Sequence, residues 1–274
     1  MIDIRNIALT FLGCFTILAA CSNSDDAEKP VTPVPTGDVT IYATTSSLTR
    51  DLTRDAVNFS SKDNLAPTSI TLNPTEQYQT MDGFGAAITG ATCFNLLQMK
   101  PEDRHAFLTE TFSDGKGFGF SYIRISIGCS DFSLSEYTCC DTKGIEHFAL
   151  QSEEKDYILR ILKEILSINP SIKVIAAPWT CPKWMKVKSL TDLTPLDSWT
   201  NGQLNPAYYQ DYATYFVKWV QAFNAEGIDI YAVTPQNEPL NRSNSASLYM
   251  TCEEQRDFLK TALIPKFKAA GLAT

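Results

Sequence analysis

Four times in succession this chain passes from a short β-branched or small apolar stretch into a segment whose apolar residues recur at helical spacing. That alternation constrains the fold more than any other feature, because successive strand–helix units build a parallel sheet. The first unit is a strand within 78–88, running into Asp82-Gly-Phe-Gly85, and a helix opened by Pro101, a favoured first-turn residue, with Phe107, Leu108 and Phe112 inward. The second is a strand over 121–128 and a long helix capped by Ser152, whose first turn carries Glu153, Glu154 and Asp156. Ile158, Ile161, Leu162, Ile165 and Leu166 hold the helical spacing until Asn169-Pro170 stops it. The third strand, 172–177, is apolar apart from Lys173, close to what a strand covered on both faces should be. Its helix carries Tyr212, Phe216, Trp219, Val220 and Phe223 and closes at Gly227. The fourth strand, 228–233, leads to Glu238, and the helix over 253–270 should bend at Pro265. No internal sequence repeat accompanies the alternation.

In a parallel α/β barrel the chemistry sits where the strands end. The exits read Gly83-Phe-Gly-Ala-Ala, then Arg124-Ile-Ser-Ile-Gly-Cys-Ser-Asp131, then Ala177-Pro-Trp179-Thr-Cys-Pro-Lys-Trp184, then Gln236-Asn237-Glu238-Pro239. Aromatic platforms beside carboxylates are what a sugar site needs. Each residue also has a plainer reading. Glu238 alone would be a solvated loop carboxylate, but an Asn-Glu pair between two prolines at the end of a buried strand is an unusual place for one. Trp179 and Trp184 either cap the core or stack on substrate, and two in one short loop favour stacking. Asp131 is either a loop cap or a ligand contact. Arg124 either orients carboxylates by charge-assisted hydrogen bonds or forms a structural ion pair.

With these motifs in order, and with Met81-Asp-Gly-Phe-Gly-Ala-Ala-Ile-Thr and Val233-Thr-Pro-Gln-Asn-Glu-Pro among them, residues 39–274 resemble glycoside hydrolase family 30. That family contains glucosylceramidases and β-1,6-glucanases. The resemblance implies a (β/α)8 TIM barrel of which about the first four units are present over 76–274. It further implies that 39–75 supplies strands of a β-sandwich packed beside the barrel. Carried over, Glu238 is the general acid/base, Asn237 bonds the sugar 2-hydroxyl, Asp131 and Trp179 contact the sugar being cleaved, and Arg124 braces the site. Gly90 departs from the pattern, since many members have an acidic residue just after the first strand.

Retaining hydrolysis uses two carboxyl groups roughly 5–5.5 Å apart, one protonating the leaving oxygen and one attacking the anomeric carbon. In the family the attacking glutamate ends the seventh strand, so the chain as given is expected to lack it and to be inactive alone. Asp131 and Glu136 are poor substitutes. A surface-anchored β-glucan hydrolase acting on β-1,6-glucan is the leading expectation, with glucosylceramide or another β-glucoside as alternative substrates. A non-catalytic glycan-binding lipoprotein is the alternative from a different class.

The N-terminus sets the location. The short apolar run over 7–20 follows Arg5 and ends in Leu18-Ala19-Ala20-Cys21, which resembles a bacterial lipoprotein signal cleaved before Cys21. Residues 1–20 are then the signal peptide and Cys21 the lipidated residue. Residues 21–38 are a Pro/Thr-rich linker whose acidic Ser22-Asn-Ser-Asp-Asp26 resembles tethers that send lipoproteins to the outer-membrane surface. Strand character over 39–45 and 69–72 opens the folded part. The chain has 274 residues, 44% of them hydrophobic, which is ample for a core. A net charge of −8 without a basic cluster argues against nucleic acid as a partner. His105 and His147 stand far apart with no carboxylate or cysteine at ligand spacing, so neither a metal site nor a cofactor is implied. Cys93, Cys129, Cys139, Cys140, Cys181 and Cys252 show no Cys-x-x-Cys spacing, and any pairing among them is unreadable from sequence.

Overall fold

The structure, a computed structural model, describes residues 35–60, 70–243 and 245–274. The signal segment, Cys21 and most of the linker lie outside those residues. Two compact units divide at Gln77 and Tyr78. In the first, β1 (Val39–Ala43) and β2 (Thr53–Val57) form an antiparallel hairpin with Val39 opposite Val57 and Ala43 opposite Thr53. The second expected strand does not form. Ile70 and Leu72 are 87% and 84% exposed. Their alternation is a strand pattern, but among the described residues no ladder pairs with it.

The second unit opens with β3 (Gly85–Ala87), shorter and later than the sequence suggests. Gly85 pairs with Tyr122 of the next strand so closely that a Cβ there would strike the Tyr122 carbonyl, which restricts the position to glycine. The first exit is therefore Ile88 to Gly90. Helix α1 (Gly90–Gln98) follows and was not anticipated; Thr89 caps it by accepting from Thr92 N at 3.2 Å. In α2 (Pro101–Phe112), Leu108 and Phe112 are buried, but Phe107 is 48% exposed. The inward stripe is Arg104, Leu108, Phe112, four residues apart, and Arg104 reaches Glu164 at 2.8 Å.

Strand β4 (Tyr122–Ser126) leads, through a long exit loop, to a π-helical turn over Glu153–Ile158 and then α3 (Leu159–Ile168). Ser152 does not cap it: its backbone is already helical, and the Glu154 carboxylate takes up Gln151 N at 2.9 Å instead. Strand β5 (Lys173–Ala177) gives way to a three-stranded antiparallel excursion absent from the sequence reading: β6 (Lys186–Ser189), β7 (Asp192–Pro195) and β8 (Gln203–Leu204) in the order β7-β6-β8. Helix α4 (Tyr209–Ala225) then buries Tyr212, Phe216, Trp219, Val220 and Phe223, and Gly227 closes it at φ 80°.

Strand β9 (Ile230–Val233) precedes α5 (Cys252–Phe258) and α6 (Ile264–Ala269), joined by a π-helical turn over Leu259–Leu263. The irregularity falls just before Pro265, which lacks an N–H and crowds the carbonyl four residues back. That carbonyl, Thr261 O, accepts from Gln210 Nε2 at 3.0 Å.

Strands β3, β4, β5 and β9 pair in parallel in that order, so all four end on one edge. Ile123, Ile125, Val174, Ala176 and Ile230 are buried in the main core with residues of the helices. Tyr122, Arg124, Lys173, Ile175 and Tyr231 belong to the opposite face and are half-buried or exposed. Among the described residues the sheet is therefore covered on one face, not on both as its apolar third strand suggested. Arg124 reaches the exits from this open face.

Candidate active site

Backbone hydrogen bonds stitch the β9 exit to the β5 exit: Thr234 N donates to Ala176 O at 2.9 Å and Asn237 N to Pro178 O at 2.8 Å. The buried Gln236 adds a side-chain pin, its Nε2 donating to Trp179 O at 2.7 Å and to Asn237 O at 2.9 Å. Two residues on, Glu238 takes φ 42°, left-handed backbone that a non-glycine residue adopts at a cost, and the following Pro239 narrows its choices further. Such strain persists only where the surroundings dictate it, and it concentrates at functional positions. Asn241 supplies part of that dictation, its N donating to Glu238 O and its Nδ2 to Glu238 Oε2, both at 2.8 Å. The Glu238 carboxylate is exposed.

Arg124 takes an amide and a ring as its partners, not a carboxylate. Its Nη2 donates to Asn237 Oδ1 at 2.7 Å and its guanidinium lies 4.8 Å from the Trp179 ring centroid. The arginine thus fixes an amide and a ring, with no carboxylate paired to it among the described residues. Trp179 is only 7% exposed, clustered with Cys129, Tyr137, Ala177 and Ala246, and its indole N–H has no partner among the described residues. Trp184 donates its N–H to Cys140 O at 2.9 Å and sets its ring 5.2 Å from Tyr208, edge to face. Both tryptophans are thus largely committed within the protein.

Asp131 is exposed at the β4 exit, in a loop whose backbone is tied down on both sides. Phe132 O accepts from Ala91 N at 3.0 Å, and Cys129 N donates to Tyr137 O at 3.1 Å. Tyr137 OH donates in turn to the buried Glu154 at 2.9 Å, and burial raises the Glu154 carboxyl above the ordinary carboxylate range. Glu136, from the same loop, accepts from Ser245 Oγ at 3.2 Å. The six cysteines of this unit are free thiols, and burial raises those of Cys129 and Cys181 to about 12.

Two participants escaped the sequence reading. Glu153 is 4% exposed, takes Leu134 N at 2.9 Å through Oε2, and fills the space beside Gly90. A carboxylate from another element thus stands where residue 90 has none. Lys186 is 1% exposed and donates to Ser198 O, Trp199 O and Ser247 O at 3.0, 3.2 and 2.8 Å, binding the excursion to the segment after Glu238. A buried lysine leaves no mark in a sequence. Among the described residues no cluster of three or more potential metal ligands occurs.

The structure therefore joins Arg124, Trp179 and Asn237 through direct contacts, with Glu238 next in the chain, places Asp131 on the neighbouring exit, and sets Trp184 further along the β5 exit loop. The glycosyl hydrolase family 30 TIM-barrel domain matches residues 81–273. The chain belongs to that family. A Neurospora crassa endo-1,6-β-D-glucanase is 32% identical over 209 residues, covering 73% of this chain and 42% of that protein. The mouse lysosomal acid glucosylceramidase is 31% identical over 209 residues, covering 72% and 39%. Among solved structures, the endo-β1,6-glucanase BT3312 superposes with a TM-score of 0.78 and 88% sequence identity, covering 87% of this chain and 52% of that one. The chain spans about half the length of the relatives it matches, and its four-stranded parallel sheet is correspondingly part of the family's barrel.

Proposed function

We propose that this chain carries the acid/base half of a retaining glycoside hydrolase acting on β-1,6-glucan. The observation that supports it most is the Asn237-Glu238 turn, held by Arg124 on one residue and Asn241 on the next, with Glu238 in a strained conformation. Two of the similar proteins above carry β-1,6-glucanase names, which favours that glucan over glucosylceramide.

In this reading Glu238 protonates the glycosidic oxygen as the bond breaks and later takes a proton from the attacking water. Asn237, its carbonyl oxygen occupied by Arg124, turns its amide N–H toward the sugar 2-hydroxyl. Asp131 binds a hydroxyl of the same ring, and Trp179 and Trp184 contribute ring surface to the substrate site. The nucleophile is assigned to none of the described residues, so they are expected to bind substrate without turning it over. The Cys21 thiol carries lipid and holds the protein at the outer-membrane surface; Cys21→Ala should release it into the soluble fraction, and a variant that stays with the membrane overturns the anchor.

The test of the acid/base role is Glu238→Gln in a chain that includes the family's remaining strands. Loss of the proton should slow cleavage on the order of 10²–10⁴-fold for poor leaving groups, and much less for those that depart unprotonated. Equal losses for both kinds would sink the assignment. Binding of β-1,6-glucan with no turnover in the completed chain would instead favour a non-catalytic glycan-binding role.

A further inference from the structure

The turn that carries Glu238 continues into a surface to which the reading above gives no role. Asn241 holds the Glu238 carboxylate, and the next residue, Arg242, is exposed. Its guanidinium lies 3.4 Å from the ring centroid of Tyr249 and donates Nη1 to Asn201 Oδ1 at 3.0 Å. No acidic side chain pairs with it among the described residues. An aromatic ring and an amide thus hold the guanidinium in place, with its other N–H groups unclaimed by any carboxylate.

The surroundings are built to keep it there. Met250 N donates to Pro239 O at 2.7 Å, Tyr249 N to Gly202 O and Ser247 N to Trp199 O, both at 2.9 Å. The buried Lys186 ammonium clamps the Trp199 and Ser247 carbonyls from beneath. An exposed arginine ordinarily loses rotamer freedom when it binds; here that loss has already been taken in folding.

We propose that Arg242, braced by Tyr249 and Asn201, binds the departing sugar ring of a β-1,6-linked glucan. The inference rests on Glu238 being the proton donor. Such a donor must meet the glycosidic oxygen, so the ring being cleaved and the ring that leaves lie on opposite flanks of its carboxylate. Arg124 holds Asn237, the residue before Glu238, and lies over Trp179. Asn241 holds the Glu238 carboxylate itself and is followed directly by Arg242. A planar guanidinium matches adjacent hydroxyl and ring oxygens with paired N–H donors. A 1,6-linkage carries one more rotatable bond than a ring-to-ring linkage, so a fork that fixes the departing ring restrains freedom that would otherwise oppose reaction.

The purified protein is titrated calorimetrically with glucose, with the β-1,6-linked glucose disaccharide, and with glucuronate. Arg242→Ala should weaken the glucose disaccharide about tenfold while changing glucose by less than about twofold. Arg242→Lys should lose nearly as much, because charge without the planar fork does not restore paired donation. Melting curves establish that each variant is folded, and Asn201→Ala and Tyr249→Leu replace any that is not. Undiminished disaccharide binding in folded variants overturns the proposal, as do equal losses for glucose and disaccharide. A wild-type preference for glucuronate over the neutral disaccharide overturns it in favour of an anion site. If wild type binds none of the sugars, the reading of the described residues as a substrate-binding half fails and the proposal fails with it; intact sugar binding that ignores residue 242 removes only the proposal.

Discussion

The carboxylate of Glu153 fills the space into which a side chain at Gly90 would project, so the first residue of α1 and the π-helical turn before α3 are fitted to each other. Glu153 cannot swing aside without giving up Leu134 N, the backbone of the loop that carries Asp131.

Gly90→Ala should therefore run against helix propensity. In an open helix the change gains up to about 1 kcal/mol. Here we expect a loss of roughly 1–2 kcal/mol in urea denaturation, from displacing a buried carboxylate. Glu153→Ala clears the space, so the double variant should recover much of the loss. Strict additivity of the two changes would refute the steric coupling.

Arg124 and Asn237 should behave as one unit. Arg124→Lys keeps the charge but loses the planar guanidinium that both donates to Asn237 and lies over Trp179. Binding of β-1,6-glucan fragments should weaken about tenfold in Arg124→Lys and similarly in Asn237→Ala. The double variant should be little worse than either single one; additive losses would mean that the two contact substrate independently.

Glu238 sits at φ 42°, and glycine relieves that strain. Glu238→Gly should raise thermal stability by up to about 1 kcal/mol while removing the proposed proton donor. A fall in melting temperature would show that the Asn241 contact outweighs the strain.

How much of this was legible follows from the range of the interactions. Strands at 122–126, 173–177 and 230–233 announce themselves by local apolar runs, and the polar Asn237-Glu238 pair marks its exit within a few residues. The partner of Arg124 lies 113 residues away, so its bond to Asn237 has no local signature. Phe107 was misplaced because helical spacing defines a stripe but leaves its edge open, and Arg104 took the inward position. Ser152 was misread because Glu154, a buried carboxylate, satisfied the backbone that a capping hydroxyl would have served. The excursion over 186–204 went unseen because its strands are short and its anchor is a lysine, a residue that sequence patterns place in solvent.

That lysine yields the last prediction. Burial pulls Lys186 from 10.5 down to about 8. Between pH 8 and 10.5 the unfolded chain therefore holds a proton that the folded chain has released, and this group makes stability rise with pH. The slope vanishes below that window, where both states are protonated, and above it, where neither is. The buried thiols act the other way: those of Cys93, Cys129 and Cys181 rise from 9.0 to about 12, so the folded chain keeps protons that the unfolded one loses, and stability falls above pH 9. Comparing wild type with Lys186→Met cancels the thiols, which both proteins share. At pH 7 the variant should be less stable by about 2–4 kcal/mol, because methionine leaves the carbonyls of Ser198, Trp199 and Ser247 without their donor. As pH rises through the window the wild-type lysine sheds its desolvation cost, and the gap should widen by up to about 3 kcal/mol. Urea denaturation of both proteins at pH 7.5, 8.5, 9.5 and 10.5 measures it. A gap that narrows with pH would mean that the three carbonyls favour the ammonium by more than burial penalises it.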